Sequence, residues 1–236
     1  MITTSEYKFC LPVPEKVRIA VAADIHSTPH FAEILRMISD SRPDAVFIPG
    51  DLCHDGDEYD IPLGFLRSTV SIAPVYYSFG NHERSVDETV LGIDGVHLLN
   101  DRFEMFKGIV VGGLRSGFRG QKETNFTRTP KPDLGFIDEF EKICGVKLLL
   151  SHHPEYYPEY LSKRRIDLIF SGHAHGGQWR FFGRGLFAPG QGFFPKYTSG
   201  IYGNMIVSRG LANKTIIPRL FNSPELVLVD IFPENN

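Results

Sequence analysis

Residues 17–26 read VRIAVAADIH, residues 45–51 read AVFIPGD and residues 75–83 read VYYSFGNHE. Each is an apolar run of strand length that stops abruptly at side chains able to bind metal or carry protons. Runs this rich in Val, Ile, Leu and aromatics predict strands covered on both faces. The pattern recurs downstream: Val146–Leu150 leads into Ser151-His152-His153-Pro154, and Ile166–Phe170 leads into Ser171-Gly172-His173-Ala174-His175. Ile109–Leu114 is a further run of the same kind. In open α/β sheets, ligands gather beyond the carboxyl ends of the strands, so the five polar clusters should converge on one edge.

Between the runs the period changes. Phe31, Ile34, Leu35 and Ile38 fall at i, i+3, i+4 and i+7, which predicts a helix capped by Thr28, begun at Pro29 and stopped by Pro43. Leu63–Val70, Phe136–Ile143 and Glu155–Lys163 are candidates for more helices. Strands alternating with helices imply an α/β fold. Later, Met205–Ser208 and Leu226–Ile231 read as strands with little helix between them, so a mixed or second sheet is expected there. With 236 residues, no internal repeat and no linker, the chain reads as a single domain over 1–236.

Composition narrows the function classes. The net charge of -3 gives no overall pull toward nucleic acid, and none is expected as a partner. Cys10, Cys53 and Cys144 are odd in number and far apart, which predicts reduced thiols in a cytoplasmic protein. No apolar run is long enough to cross a bilayer, and the first residues lack the apolar stretch of a signal peptide.

The cluster residues are carboxylates, an amide and imidazoles. That donor set suits Mn, Fe or Zn and needs no thiolate. Asp24-x-His26 and His173-x-His175 place donors two apart, on the same side of an extended backbone. Gly50, Gly80 and Gly172 permit a sharp turn before the next side chain. Any one of these motifs is weak alone, and a lone buried histidine is usually a hydrogen-bonded core residue. Six of the nine histidines fall in these clusters, however. Gathering so many ionisable groups without a counter-ion is costly, and bound cations remove the cost.

The ordered set Asp-x-His, Gly-Asp, Gly-Asn-His-Glu, His and Gly-His-x-His, from Asp24 to His175, resembles the calcineurin-like metallophosphoesterase superfamily. The tail, Gly-His-Ala-His-Gly-Gly-Gln with an aromatic loop and Tyr197-Thr198-Ser199-Gly200, is similar to a branch of bacterial membrane-associated enzymes and a lipid-sugar pyrophosphate hydrolase. The resemblance implies a sandwich of two mixed β-sheets flanked by helices. It also implies two divalent metals (Mn, Fe or Zn): one on Asp24, His26 and His175, the other on Asn81, His152 and His173, with Asp51 bridging. A metal-bridging hydroxide would be the nucleophile and His82 the catalytic histidine. The expected substrate is a small phosphodiester, phosphomonoester or pyrophosphate, including lipid-linked ones. His153 receives no direct role, and His30 and His97 are expected at the surface.

There is one departure from the pattern. The family often reads Gly-Asp-x-x-Asp, its second Asp orienting the catalytic histidine. Here His54 stands in that place and Asp55 comes one later. The arginines typical of the protein serine/threonine phosphatases are also missing, Gly56 and Phe79 standing nearby, which disfavours that role.

Two loops complete the reading. Residues 115–132 carry five Lys/Arg and one Glu, with Arg115 and Arg119 as candidate phosphate contacts. Residues 179–197 carry seven aromatics, three basic residues and no acid, either a hairpin packed on the sheet or a peripheral membrane contact. The competing function class, a non-catalytic metal-binding scaffold for protein interactions, would need neither His82 nor a full ligand set.

Overall fold

The computed structural model describes residues 1–121, 123–124, 128–212 and 218–234. In chain order its strands are β1 Thr3–Leu11, β2 Val17–Val21, β3 Ala45–Pro49, β4 Val75–Ser78, β5 Val96–Leu98, β6 Arg102–Phe106, β7 Ile109–Leu114, β8 Lys147–Ser151 and β9 Leu168–Ser171. They continue as β10 Arg180–Phe181, β11 Arg184–Gly185, β12 Phe187–Ala188, β13 Gly192–Phe193, β14 Gly200–Tyr202, β15 Met205–Val207 and β16 Glu225–Pro233. The α-helices are α1 Ala32–Ser41, α2 Asp60–Val70 and α3 Leu134–Phe140.

Two six-stranded sheets carry the structure, ordered β1-β16-β2-β3-β4-β5 and β14-β15-β9-β8-β7-β6. Both are mixed. β2, β3 and β4 are parallel, β16 runs antiparallel to β2, and β6 runs antiparallel to β7. The expected sandwich of two mixed sheets with flanking helices is what forms. Alternation along single strands sets its layers. In β3, Val46 and Ile48 face the helix side with Ile34, Ile38, Phe65 and Leu66. Its Ala45 and Phe47 instead join Val111, Leu148 and Phe170 between the sheets. On the far side Val110, Leu149 and Ile169 pack with Phe136, Ile137 and Phe140 of α3.

Three sequence expectations change. Helix α1 starts at Ala32 with Phe31 at its N-cap and no side-chain cap, so Thr28 and Pro29 lie before it. The helix ends as expected ahead of Pro43, with Arg42 in a left-handed conformation. The segment around Glu155–Lys163 forms only a single wide turn of π type, Tyr157–Leu161. β1 and β6 are strands that no apolar run announces. β1 alternates exposed and half-buried residues, and β6 is largely exposed, so neither shows an apolar run.

Candidate metal centre

The ends of β2, β3, β4, β8 and β9 meet on one side of the sandwich. Asp24, His26, Asp51, Asn81, His152, His173 and His175 are all buried there. The structure brings all seven together. Asp24, His26 and His175 form one group of donors and Asp51, His152 and His173 another. His26 Nε2 and His175 Nε2 are 3.3 Å apart, and each lies within 4 Å of Asp24 Oδ1. Asp51 Oδ2 is 3.8 Å from His26 Nε2 and 3.1 Å from His152 Nε2, so it stands between the groups. Asn81 Oδ1 is 3.0 Å from His152 Nε2.

The backbone does this by a route the sequence reading did not foresee. Asp24, His26, Asp51, His173 and His175 all have positive φ, between 45° and 65°. The paired ligands therefore converge through left-handed turns and not along extended strand, and such conformations are uncommon for non-glycine residues and cluster at functional sites. Gly50 is left-handed (φ 92°), as expected. Gly80 and Gly172 serve a different purpose. A Cβ on Gly80 would lie 2.2 Å from Asp51 Oδ1, and one on Gly172 would lie 2.5 Å from Asp24 Oδ2. They are glycine because carboxylates press against them.

Glu83 ties the loops from below. Its carboxylate accepts from the main-chain N–H groups of Gly80, Asp51 and Cys53 at 2.8–3.0 Å. Burial pushes this carboxyl up to about 7, and the Asp51 charge adds to the shift.

Charge is arranged in opposed pairs. Burial raises the Asp51 carboxyl, but His152 and His82 outweigh it and hold it well below the usual carboxylate range. Burial lowers His152, yet Asp51 outweighs it and lifts the imidazole to about 9. His173 is likewise lowered by burial but raised to about 10 by Glu123 and Glu155, whose oxygens lie 3.4 and 3.6 Å from its Nε2. His26 and His175 have less carboxylate support, and burial pushes both well down. A cluster that protonates two of its own histidines to balance its carboxylates is one that cations can fill by displacing those protons. Donor type, burial and spacing therefore fit two divalent metals.

His82 sits at the rim, its Nε2 4.0 Å from Asp51 Oδ2. Its orienting partner is a main-chain group: the N–H of Asp55 donates to His82 Nδ1 at 3.3 Å. The Asp55 carboxylate is instead paired with Arg84. A main-chain N–H can only donate, so neutral His82 carries its proton on Nε2, toward the ligand set. The His54 ring stacks on His82 with centroids 4.7 Å apart. A cavity of about 260 Å³ opens beside them, lined also by Tyr59, Ser85 and Val86.

The remaining expected residues are spread out. Arg115 reaches Glu88 at 3.3 Å and lies over the Phe79 ring, while Arg119 pairs with Asp101 at 2.5 Å. The 115–132 loop includes positions 122 and 125–127, which lie outside the described residues. His30 is exposed, and His97 is half-buried against Tyr76 with its Nδ1 2.6 Å from Glu104. His153 is buried behind His152, held by Ser116 Oγ at 2.7 Å and 3.3 Å from Glu155. Glu123, Glu155 and Arg219 were missed. Arg219 donates to His175 Nδ1 at 3.1 Å and to two main-chain carbonyls. Each is a single charged residue in a loop, with no local pattern to mark it.

In the aromatic loop, Phe193 and Phe194 are exposed and Phe187 is half-buried. The hairpin is therefore not wholly packed onto the sheet. No helix among the described residues is long and apolar enough to cross a membrane.

Residues 17–177 match the family described as calcineurin-like phosphoesterase. A Caenorhabditis elegans protein named as a metallophosphoesterase is 30% identical over 190 residues, which cover 69% of this chain and 37% of that protein. The chain thus spans less than two fifths of that relative's length. A metallophosphoesterase of Aquifex aeolicus is 27% identical over 256 aligned positions, covering 96% of this chain and 89% of that one. Among solved structures, a dimetal phosphatase from Danio rerio superposes with a TM-score of 0.50 at 10% identity, over 82% of this chain and 87% of that chain. At that identity the likeness speaks for the fold alone.

Proposed function

The chain belongs to the calcineurin-like phosphoesterase family, a family of metal-dependent hydrolases, and from that premise we propose that residues 1–236 act as one domain hydrolysing phosphoester bonds at a dinuclear centre. Asp24, His26 and His175 would hold one metal and Asn81, His152 and His173 the other, with Asp51 available to both. The observation that carries the reading is the convergence of these seven buried donors into two adjoining groups, with Asp51 Oδ2 3.1 Å from His152 Nε2 in one and 3.8 Å from His26 Nε2 in the other. Two bound divalent cations would supply Lewis-acid polarisation of the phosphoryl oxygens and a nucleophilic water at neutral pH.

The chain's own residues supply the rest. His82 points its Nε2–H at the departing oxygen and stabilises the charge that develops there, the Asp55 N–H keeping that tautomer in place. Glu83 holds the loops of Asp51 and Asn81 at fixed separation. The cavity beside His82 is the room into which a leaving group goes. Arg115 and Arg119 are candidate substrate contacts that would exchange Glu88 and Asp101 for phosphate oxygens.

The substrate class within this reading is a small phosphodiester, phosphomonoester or pyrophosphate, with a lipid-linked one favoured by the exposed aromatic rings of 179–197. The same rings support peripheral contact of a cytoplasmic protein with a membrane. Hydrolysis of aryl phosphodiesters, monoesters and pyrophosphates, assayed with Mn, Fe and Zn in turn, tests the proposal. Asp51→Asn should lose activity by orders of magnitude and retain metal poorly. An active protein with no divalent metal and no response to chelators would overturn it.

A further inference from the structure

Three phenylalanines occupy backbone positions that suit asparagine or glycine. Phe182 (φ 50°), Phe194 (φ 55°) and Phe221 (φ 53°) are all left-handed. Each also points into solvent: Phe182 is fully exposed, Phe194 81% and Phe221 76%. Phe182 and Gly183 are the two central residues of the β10-β11 hairpin, closed by the Phe181–Arg184 pair. With positive φ at both, this is the turn for which Asn-Gly is the favoured sequence. A bulky ring there is disfavoured by the backbone and little rewarded by packing, and it occurs three times on one surface.

The three turns adjoin. Phe194 N–H donates to Leu186 O, just after β11. On the other side Arg180 N–H donates to Leu220 O, and the Phe181 and Phe221 rings meet at 5.9 Å. Trp179, 37% exposed, anchors its Nε1–H on Pro218 O. Beneath them lies the metal centre: Asn222 donates to His175 O at 2.7 Å, and Arg219 reaches His175 Nδ1.

The charge of the region is one-sided. From Leu168 to Pro224 the sequence contains no Asp or Glu and six Lys/Arg, in a chain whose net charge is -3. Arg184 and Lys196 line the hollow of about 370 Å³ between the Phe182 and Phe194 turns. Projecting rings among cations, on a segment that carries no acid of its own, match an anionic bilayer, where rings enter the acyl boundary and cations meet headgroups. A protein groove would instead be matched by a continuous apolar face.

We propose that Phe182, Phe194 and Phe221 are a three-point wedge that docks this face on anionic membranes, with the metal centre at the membrane surface. The inference deepens the reading above, because it names the phase from which a lipid-linked phosphoester reaches the metals.

The test is the double variant Phe182→Asn/Phe194→Asn. Asn accepts left-handed φ better than Phe, so thermal stability should hold or rise. Sedimentation with phosphatidylcholine vesicles containing phosphatidylglycerol should fall, about 10-fold or more per ring, the burial value of a Phe side chain expressed as an affinity ratio. Pure phosphatidylcholine vesicles should bind weakly, and Arg184→Ala/Lys196→Ala should weaken only the anionic case. Hydrolysis of a soluble aryl phosphodiester should be unchanged in both variants. Three results overturn the wedge: no binding of the wild type to anionic vesicles, equal binding by the Asn variant, or self-association that the Asn variant abolishes without any vesicle binding. Vesicle binding with no ester hydrolysis would sink the enzymatic reading and leave the wedge standing.

Discussion

Gly80→Ala isolates the geometry of the bridging carboxylate. The position is not left-handed, so alanine's backbone preferences are satisfied there. The only conflict is with space: the new Cβ would lie 2.2 Å from Asp51 Oδ1, 2.8 Å from Asp51 N and 2.9 Å from Asp51 Cγ. Ordinary contact begins at about 3.4 Å, so the carboxylate or its loop must retreat by about 1 Å, and displacements of that size commonly cost on the order of 10²-fold in rate. Overpacking of a buried site costs about 1–3 kcal/mol, a loss a chain of this length should survive folded. The expected protein is folded, binds less metal and turns over about 100-fold slower. Metal content by mass spectrometry, circular dichroism and kcat on an aryl phosphodiester measure these. Gly64→Ala is the control: its Cβ would meet nothing closer than 3.7 Å within helix α2, so it should stabilise by about 0.5–1 kcal/mol and leave kcat alone. Wild-type metal content and turnover in Gly80→Ala would refute the close-approach argument.

Other expectations follow from the same site. His82→Asn should retain both metals and slow hydrolysis about 10²–10⁴-fold for alkoxide leaving groups, with a smaller loss for nitrophenolate; equal losses on both would remove the leaving-group role. In the metal-free protein, His152 and His173 are raised to about 9 and about 10. Both are therefore charged at pH 7, and their contribution to stability is complete below pH 6.5 and lost as pH rises through those values. Loading both metals at pH 7 should release about two protons, read by calorimetry in buffers of different ionisation enthalpy, and release near zero would contradict the charge arrangement. Arg84→Ala should free Asp55 and loosen His82, lowering kcat on poor leaving groups more than KM changes, with partial rescue by Arg84→Lys.

Much of the site was legible because its chemistry follows directly upon hydrophobic runs. Ala45–Pro49 and Ile109–Leu114 form strands over the residues read, since burial on both faces leaves a continuous apolar signal. The polar residues that end such runs have nowhere to go but the shared edge. Strand β1 escaped because, with one side half-buried and the other exposed, it carries only alternation. The start of α1 was misread for a physical reason. Asp24, His26 and Ser27 are left-handed and the chain turns again over Pro29–Phe31, so the first helical residue is Ala32. Glu155 and Glu123 became visible only once loops distant in sequence were folded against His173. The partner of His82 could not be read at all, because it is a peptide group and peptide groups are the same in every residue.

The placing of β16 bears on how the chain is made. Between β1 and β2, second from the edge of the first sheet, lies a strand drawn from residues 225–233. Ser5 and its partner Glu225 are separated by 220 residues. During synthesis, the strand that leads to Asp24 waits without its neighbour until nearly all the described chain has left the ribosome. Throughout that wait β1 and β2 present open edges, and contacts of such long sequence separation form slowly. The nascent chain should therefore be a client for chaperones, and the metal centre among the last parts of the molecule to become rigid.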